Sequence, residues 1–183
     1  MNTRFIGDTH EAERWGELRS GAKTSIHVGD VALADGRGEA PKPEKGHWFI
    51  RGNKDEIERC NARADYLGDF GYMPKLKLYF ISGAASVDKP LHVEQLSNRA
   101  FEEAFYEILK IKPEIIVSHD CPFKLGLAEW QGKTATNQWL DKIFRAYQPM
   151  LWVFGHHHVH FDKTVNGCQF YGLAKYAVKD FDI

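Results

Sequence analysis

Met150-Leu151-Trp152-Val153-Phe154-Gly155-His156-His157-His158 is an apolar run that stops at a glycine and turns into three histidines. Five bulky residues bounded by such a break have the length and content of a buried strand. The same arrangement recurs upstream. Arg4-Phe5-Ile6 precedes Gly7-Asp8-Thr9-His10, Ser25-Ile26-His27-Val28 precedes Gly29-Asp30, and His47-Trp48-Phe49-Ile50 precedes Gly52-Asn53-Lys54-Asp55. Glu114-Ile115-Ile116-Val117 precedes Ser118-His119-Asp120. The polar motifs therefore fall at strand ends. Side by side in one sheet, these strands would gather two aspartates, an asparagine and four histidines at the carboxyl edge, where open α/β sheets place their ligands. Such a donor set suits two divalent cations.

Amphipathic stretches separate the strands. Phe101, Ala104, Phe105, Ile108 and Leu109 form a stripe at three- and four-residue spacing that ends before Pro113. Trp139, Leu140, Ile143, Phe144 and Tyr147 repeat it before Pro149. Two further helices are expected from about Glu11 to Arg19 and from about Asp55 to Ala64, each just after a polar motif. The alternation predicts an α/β sandwich flanked by helices, with its site at strand carboxyl ends and antiparallel additions at Leu78 to Ile81 and after His158. Residues 34–46 are dense in Gly, Pro and charge and read as a mobile loop. Residues 67–74 and 121–133 read as loops rimming the same edge, where specificity is usually set.

The 183 residues fit one domain spanning positions 1–183. With 24 Lys and Arg against 25 Asp and Glu, no global field draws the chain to nucleic acid or an acidic membrane, so any nucleotide affinity must be local. No apolar run approaches the ~20 residues that span a bilayer, and no basic-then-apolar leader is visible, which reads as a cytoplasmic protein without a membrane partner. Cys60, Cys121 and Cys168 are odd in number and widely spaced, unlike a disulfide framework or a zinc knuckle.

The ordered motifs Gly7-Asp8-Thr9-His10, Gly29-Asp30, Gly52-Asn53-Lys54-Asp55, His119 and Gly155-His156-His157-His158 resemble the calcineurin-like metallophosphoesterase superfamily. Its pattern is Asp-x-His, Gly-Asp, Gly-Asn-His-Asp or Glu, a lone His, then Gly-His-x-His. Phe80 to Asp88 and Ser118-His119-Asp120-Cys121-Pro122 look like a small bacterial and phage branch, so the likeness spans almost the full chain. The resemblance implies a dinuclear metal-dependent phosphoric ester hydrolase, in which a metal-bridging hydroxide attacks a phosphodiester or nucleotide-type substrate. One ion would be held by Asp8, His10 and His158, the other by Asn53, His119 and His156, with Asp30 bridging. Asp30, Asn53, Lys54 and His119 would act in catalysis. Carboxylate, amide and imidazole donors favour manganese, placed first, or iron, zinc, nickel or cobalt over copper or calcium. A phosphomonoesterase or protein phosphatase, and a metal-binding interaction module with impaired turnover, are the alternatives.

Taken singly, these residues have plainer readings. An aspartate after glycine caps a turn, and Gly-Asn is a turn signal. Their joint order outweighs that. His156 and His158 share a direction if the backbone there is extended, which turns His157 away from the site. Lys54 stands where the resembled pattern has histidine. Three roles fit an amine there: a phosphate clamp that also donates a proton, a solvent-facing bystander, or a substitution that impairs turnover. Arg37, Lys42, Lys45, Lys89, Lys124 and Lys133, with Tyr66, Phe70, Tyr72 and Trp130, are candidate rim residues for binding phosphate or stacking on a base.

Overall fold

A computed structural model describes residues 2–34, 39–85, 95–127 and 132–183. Two sheets face each other. The four-stranded sheet contains β1 (Asn2–Ile6), β2 (Ser25–His27), β3 (His47–Phe49) and β10 (Val178–Asp182), in the order β10-β1-β2-β3. The six-stranded sheet contains β4 (Phe70–Met73), β5 (Leu78–Ile81), β6 (Ile115–Ser118), β7 (Leu151–Phe154), β8 (Phe161–Val165) and β9 (Cys168–Gly172), in the order β4-β5-β6-β7-β9-β8. Strands β1, β2 and β3 run parallel, as do β5, β6, β7 and β9. Antiparallel strands border both sets: β10 on β1, β4 on β5 and β8 on β9.

Side-chain alternation builds the layers. Leu78, Phe80, Ile115, Val117, Leu151 and Val153 point between the sheets and meet Phe5, Ile26 and Val28. Their neighbours Tyr79, Ile81, Ile116, Trp152 and Phe154 point the other way, onto the apolar stripes of α3 (Asn98–Ile111) and α4 (Ala135–Ala146). On the far side of the smaller sheet, Ile6 and Phe49 meet Trp15 of α1 (Ala12–Arg19) and Cys60 of α2 (Ile57–Asn61). The result is a four-layer α/β sandwich.

Local chemistry sets the helix ends. Ser97 Oγ accepts the Ala100 N–H and starts α3, while Thr134 and Asn137 form a reciprocal capping box at α4. Lys112, left-handed at φ 55°, ends α3 before Pro113.

Several sequence expectations are corrected. The strands that carry the motifs divide between two sheets. Helix α2 is confined to Ile57–Asn61, because Asp55 accepts the Val31, Leu33 and Gly52 N–H groups and belongs to the turn before the helix. Residues 70–73 form edge strand β4 within a segment expected to be loop. Strand β5 is antiparallel only to β4 and parallel to β6. Positions 35–38, within the expected mobile loop, lie outside the described residues, as do 86–88 of the Phe80 to Asp88 stretch, Arg37, Lys89 and Trp130.

Candidate metal centre

The seven residues proposed as metal ligands come from both sheets. Asp8 and His10 follow β1, Asp30 follows β2, and Asn53 follows β3; His119 follows β6, and His156 and His158 follow β7. Parallel strands put these ends on one edge of each sheet, and the sandwich brings the two edges together.

Asp8 is fully buried, and its carboxylate accepts the His156 N–H at 3.0 and 3.1 Å. His158 Nε2 lies 3.0 Å from Asp8 Oδ2 and 3.0 Å from His10 Nε2. Ligand atoms of Asp8, His10, Asp30 and His158 all fall within 4.8 Å of one another, a grouping able to hold a metal ion. Asn53 Oδ1 lies 3.1 Å from His119 Nε2 and 3.1 Å from His156 Nδ1, which defines a second group. Asp30 touches both: Oδ2 is 3.7 Å from His10 Nε2 and Oδ1 is 3.7 Å from His119 Nε2.

The backbone is held for this arrangement. Asp30 Oδ1 accepts the Lys54 N–H at 2.8 Å, and the Asp30 carbonyl accepts the His10 N–H at 2.9 Å. His10, Asp30, His156 and His158 all have φ between 54° and 66°, a left-handed conformation that costs a non-glycine residue of order 1–3 kcal/mol and tends to cluster at functional sites. A side-chain carbon on Gly52 would fall on Asp30 Oδ1, and one on Gly155 would fall on Asp8 Oδ1. Both glycines are needed for close approach.

Electrostatics separate the two aspartates. Burial raises Asp30 to about 7; Asp8 and Asp55 push the same way, and His119 only partly offsets them. Burial would raise Asp8 as well, but His119, His158 and the His156 N–H outweigh it and hold Asp8 well below the carboxylate range. Burial lowers His10 to about 4 and His156 to about 3, leaving neutral rings at pH 7. His119 is also opposed by burial, yet Asp30 and Asp8 outweigh it and raise its affinity for a proton. Its Nδ1–H donates to the Val28 carbonyl at 2.7 Å. That raised affinity favours a proton on Nε2 facing the oxygens of Asn53 and Asp30; a cation displacing this proton would find the Nε2 lone pair and those oxygens converging on it. Backbone anchoring of the opposite ring nitrogen is also the usual companion of metal-ligating histidine. The donor set thus fits divalent metal.

The expected extended backbone at residues 156–158 is not found. Left-handed turns at His156 and His158 aim one ring at Asn53 and the other at Asp8. His157 turns into the protein, with Nε2 3.0 Å from Asp120 Oδ1 and 3.3 Å from Cys121 Sγ. Asp120 also accepts the Cys121 N–H, and the Asp120 carbonyl accepts the Ser118 hydroxyl, which in turn accepts the Trp152 indole N–H. This buried network ties the end of β6 to the end of β7. Sequence reasoning assigned it no role, although a charged residue directly after an apolar strand was a visible signal. Asp55 was likewise quoted within a motif without its bracing role. The 174–177 turn was missed altogether: the Tyr176 N–H donates to the Asp8 carbonyl, and its hydroxyl donates to Glu11. Nothing in Ala174-Lys175-Tyr176-Ala177 marks it in advance.

Lys54 is half-buried beside Asp30, through its backbone N–H. Of the candidate rim residues, Tyr66 packs on Phe49, and Phe70 and Tyr72 pack against the α3 and α4 layer, so these rings serve the core. Lys124 and Lys133 line a groove beside α4. Lys42 and Lys45 are exposed.

No family model matches the chain, and no curated protein matches it. Among solved structures, it is similar to a conserved uncharacterized protein from Streptococcus pneumoniae TIGR4, described as a predicted phosphoesterase, with 14% identity and a TM-score of 0.43. The likeness covers 100% of this chain and 84% of that one.

Proposed function

We propose that this protein is a metal-dependent phosphoric ester hydrolase with two divalent cations, manganese first among the candidates, and a phosphodiester or nucleotide-type substrate. The observation that carries the reading is Asp30, whose two oxygens each face a different histidine-containing group. In this reading Asp8, His10 and His158 hold one ion, Asn53, His119 and His156 hold the other, and Asp30 is shared. Bound there, such a pair would polarise the phosphoryl oxygens, lower the pKa of water and offset charge in the transition state.

The chain's own groups set the stage for that chemistry. Burial of Asp8 and Asp30 excludes competing water, and neutral His10 and His156 present lone pairs rather than protons. The His119 Nδ1–H stays on Val28, which fixes the ring's orientation and leaves Nε2 toward the centre. Lys54, on the turn whose N–H holds Asp30, would offer positive charge to a phosphate, the role its departure from the resembled histidine leaves most direct. The five motifs in order, the left-handed backbone at four of the seven residues and the convergence of acceptors support the reading together.

The test is a manganese-supplemented assay on a chromogenic diester and a chromogenic monoester, beside a metal-content measurement on the same sample. Turnover of the diester with about two bound ions is expected. Bound metal without turnover of any ester would overturn the hydrolase reading in favour of a metal-binding module.

A further inference from the structure

Helix α4 carries Gln138, Asp141, Lys142 and Arg145 on one face at three- and four-residue spacing. The loop after His119 runs alongside, where the Lys124 N–H donates to Asp141 Oδ1 at 3.1 Å. Between them, with Phe105 of α3 and Phe123 contributing to the walls, lies an open groove of about 570 Å³. Its described lining holds four cations, Lys124, Lys133, Lys142 and Arg145, against one carboxylate, Asp141. That carboxylate is buried and already engaged by the Lys124 N–H and by Arg145 at 3.2 Å. The Lys142 ammonium sits 4.1 Å over Trp139 and 4.8 Å over Phe105, and that of Lys133 lies 5.4 Å over Phe123. Aromatic faces position an ammonium without cancelling its charge. In a chain of net charge −1, this is a local cationic strip with interleaved rings.

A single phosphate needs one compact cluster. Here the cations are spread over a helical turn and two points of the facing loop, which suits an anion that repeats. Cations tracking a backbone, with aromatic rings between them, are the composition of single-strand nucleic-acid grooves. The chain itself bounds the distance to the metal-ligand cluster. Lys124 follows His119 by five positions, so five residues at ~3.6 Å each put it within roughly 18 Å of that ligand.

We infer that the groove between α4 and the described residues Phe123, Lys124 and Lys133 binds the phosphate backbone of a single-stranded oligonucleotide, whose scissile phosphodiester reaches the metal centre. The connection to hydrolysis rests on the function proposed above; binding by the groove does not.

The two are separated by measuring anisotropy of a fluorescent ten-nucleotide single-stranded DNA with the full chain in EDTA, where no metal-dependent cleavage occurs. Binding is expected to weaken with salt, with a logarithmic slope of about −2 to −3 for three or four phosphates contacted at ~0.7 each. The Lys142→Glu/Arg145→Glu variant is expected to lose at least about tenfold in affinity at low salt, and Lys124→Glu/Lys133→Glu a similar factor from the opposite wall. The second pair keeps the test decisive if the first fails to fold, as judged by circular dichroism. No binding by the unmutated protein, or unchanged affinity in either folded variant, would overturn the inference. So would equal affinity for a polyglutamate peptide of matched charge, since that outcome assigns the groove to acidic protein.

Discussion

The two sheet edges that meet at the candidate site differ in chemistry and in exposure. The four-stranded sheet contributes mainly oxygen: Asp8, Asp30 and Asn53, with His10 as its one imidazole. The six-stranded sheet contributes imidazole alone, through His119, His156 and His158. On the oxygen side, backbone groups hold the carboxylates from several directions, and burial turns Asp30 toward its neutral form. On the nitrogen side, exposure varies: His119 is fully buried, whereas the His158 side chain is 44% exposed. The difference shows how the fold holds a site that is unstable on its own. One edge accumulates buried carboxylates that a cation would neutralise, and the other supplies imidazole groups that could complete its coordination.

The largest expected effect lies on the oxygen side. Asp30→Asn should lower ester turnover by roughly 10²–10³-fold, in the range found when one electrostatic stabiliser is removed from an active site. The same change should raise the thermal midpoint of the metal-free protein by several °C, because it removes a buried carboxylate that resists ionisation near pH 7. Lower activity together with a lower midpoint would make Asp30 a structural residue and erase the contrast.

The next effect lies behind the nitrogen side. His157→Ala leaves Asp120 buried without its ring partner, and leaving a buried polar group short of a hydrogen-bond partner typically costs about 1–3 kcal/mol. Chemical denaturation should show that loss, and His119 and His156 should lose metal affinity as their two strand ends loosen. A variant as stable as the parent would remove the Asp120–His157 link from the account.

A further effect appears as the pH is lowered. Burial lowers His27 to about 3, so the folded protein keeps it neutral while the unfolded chain protonates it below the ordinary value of ~6.5. A folded-state pKa below the unfolded one makes the unfolded chain bind more protons between these values. Stability from His27 is therefore complete above about pH 6.5 and falls as pH drops toward 3, with a slope of up to ~1.4 kcal/mol per pH unit. His10 and His156 add to it. In melts of metal-free protein, His27→Gln should flatten this acid slope without abolishing it. An unchanged slope would show that His27 is not held neutral by the fold.

The smallest effect concerns Lys54. Lys54→Ala should reduce turnover by about tenfold, through lost phosphate attraction, and Lys54→His should help poor-leaving-group monoesters more than activated diesters. Equal rates for all three proteins on both ester classes would place the amine outside the chemistry.

The apolar runs and helix stripes made most of the fold legible, because strand alternation and the 3.6-residue period follow directly from burial. Phe101 and Ile108 face the sheet as their spacing requires. The sandwich was legible, but which motif-bearing strands fall in which of its two sheets was not. A run such as Ser25-Ile26-His27-Val28 shows that it is buried but not which neighbours it pairs with, since partner choice depends on packing between distant segments. The site shows the same limit. Ordered motifs identified the residues that the sandwich gathers, but the turning of His156 and His158 depends on left-handed backbone that no local composition signals. Asp120 and Tyr176 act through contacts with residues far away in sequence, and pattern reading has no access to those.

The central claim, that one carboxylate joins two ions, is most directly tested by electron paramagnetic resonance of the manganese-loaded protein. Ions bridged through Asp30, at the ~3.5–4 Å typical of two-metal sites, should give an exchange-coupled signal, and Asp30→Asn should convert it to that of isolated manganese. An uncoupled signal from a single ion in the unmutated protein, or a coupled signal that survives Asp30→Asn, would contradict the account.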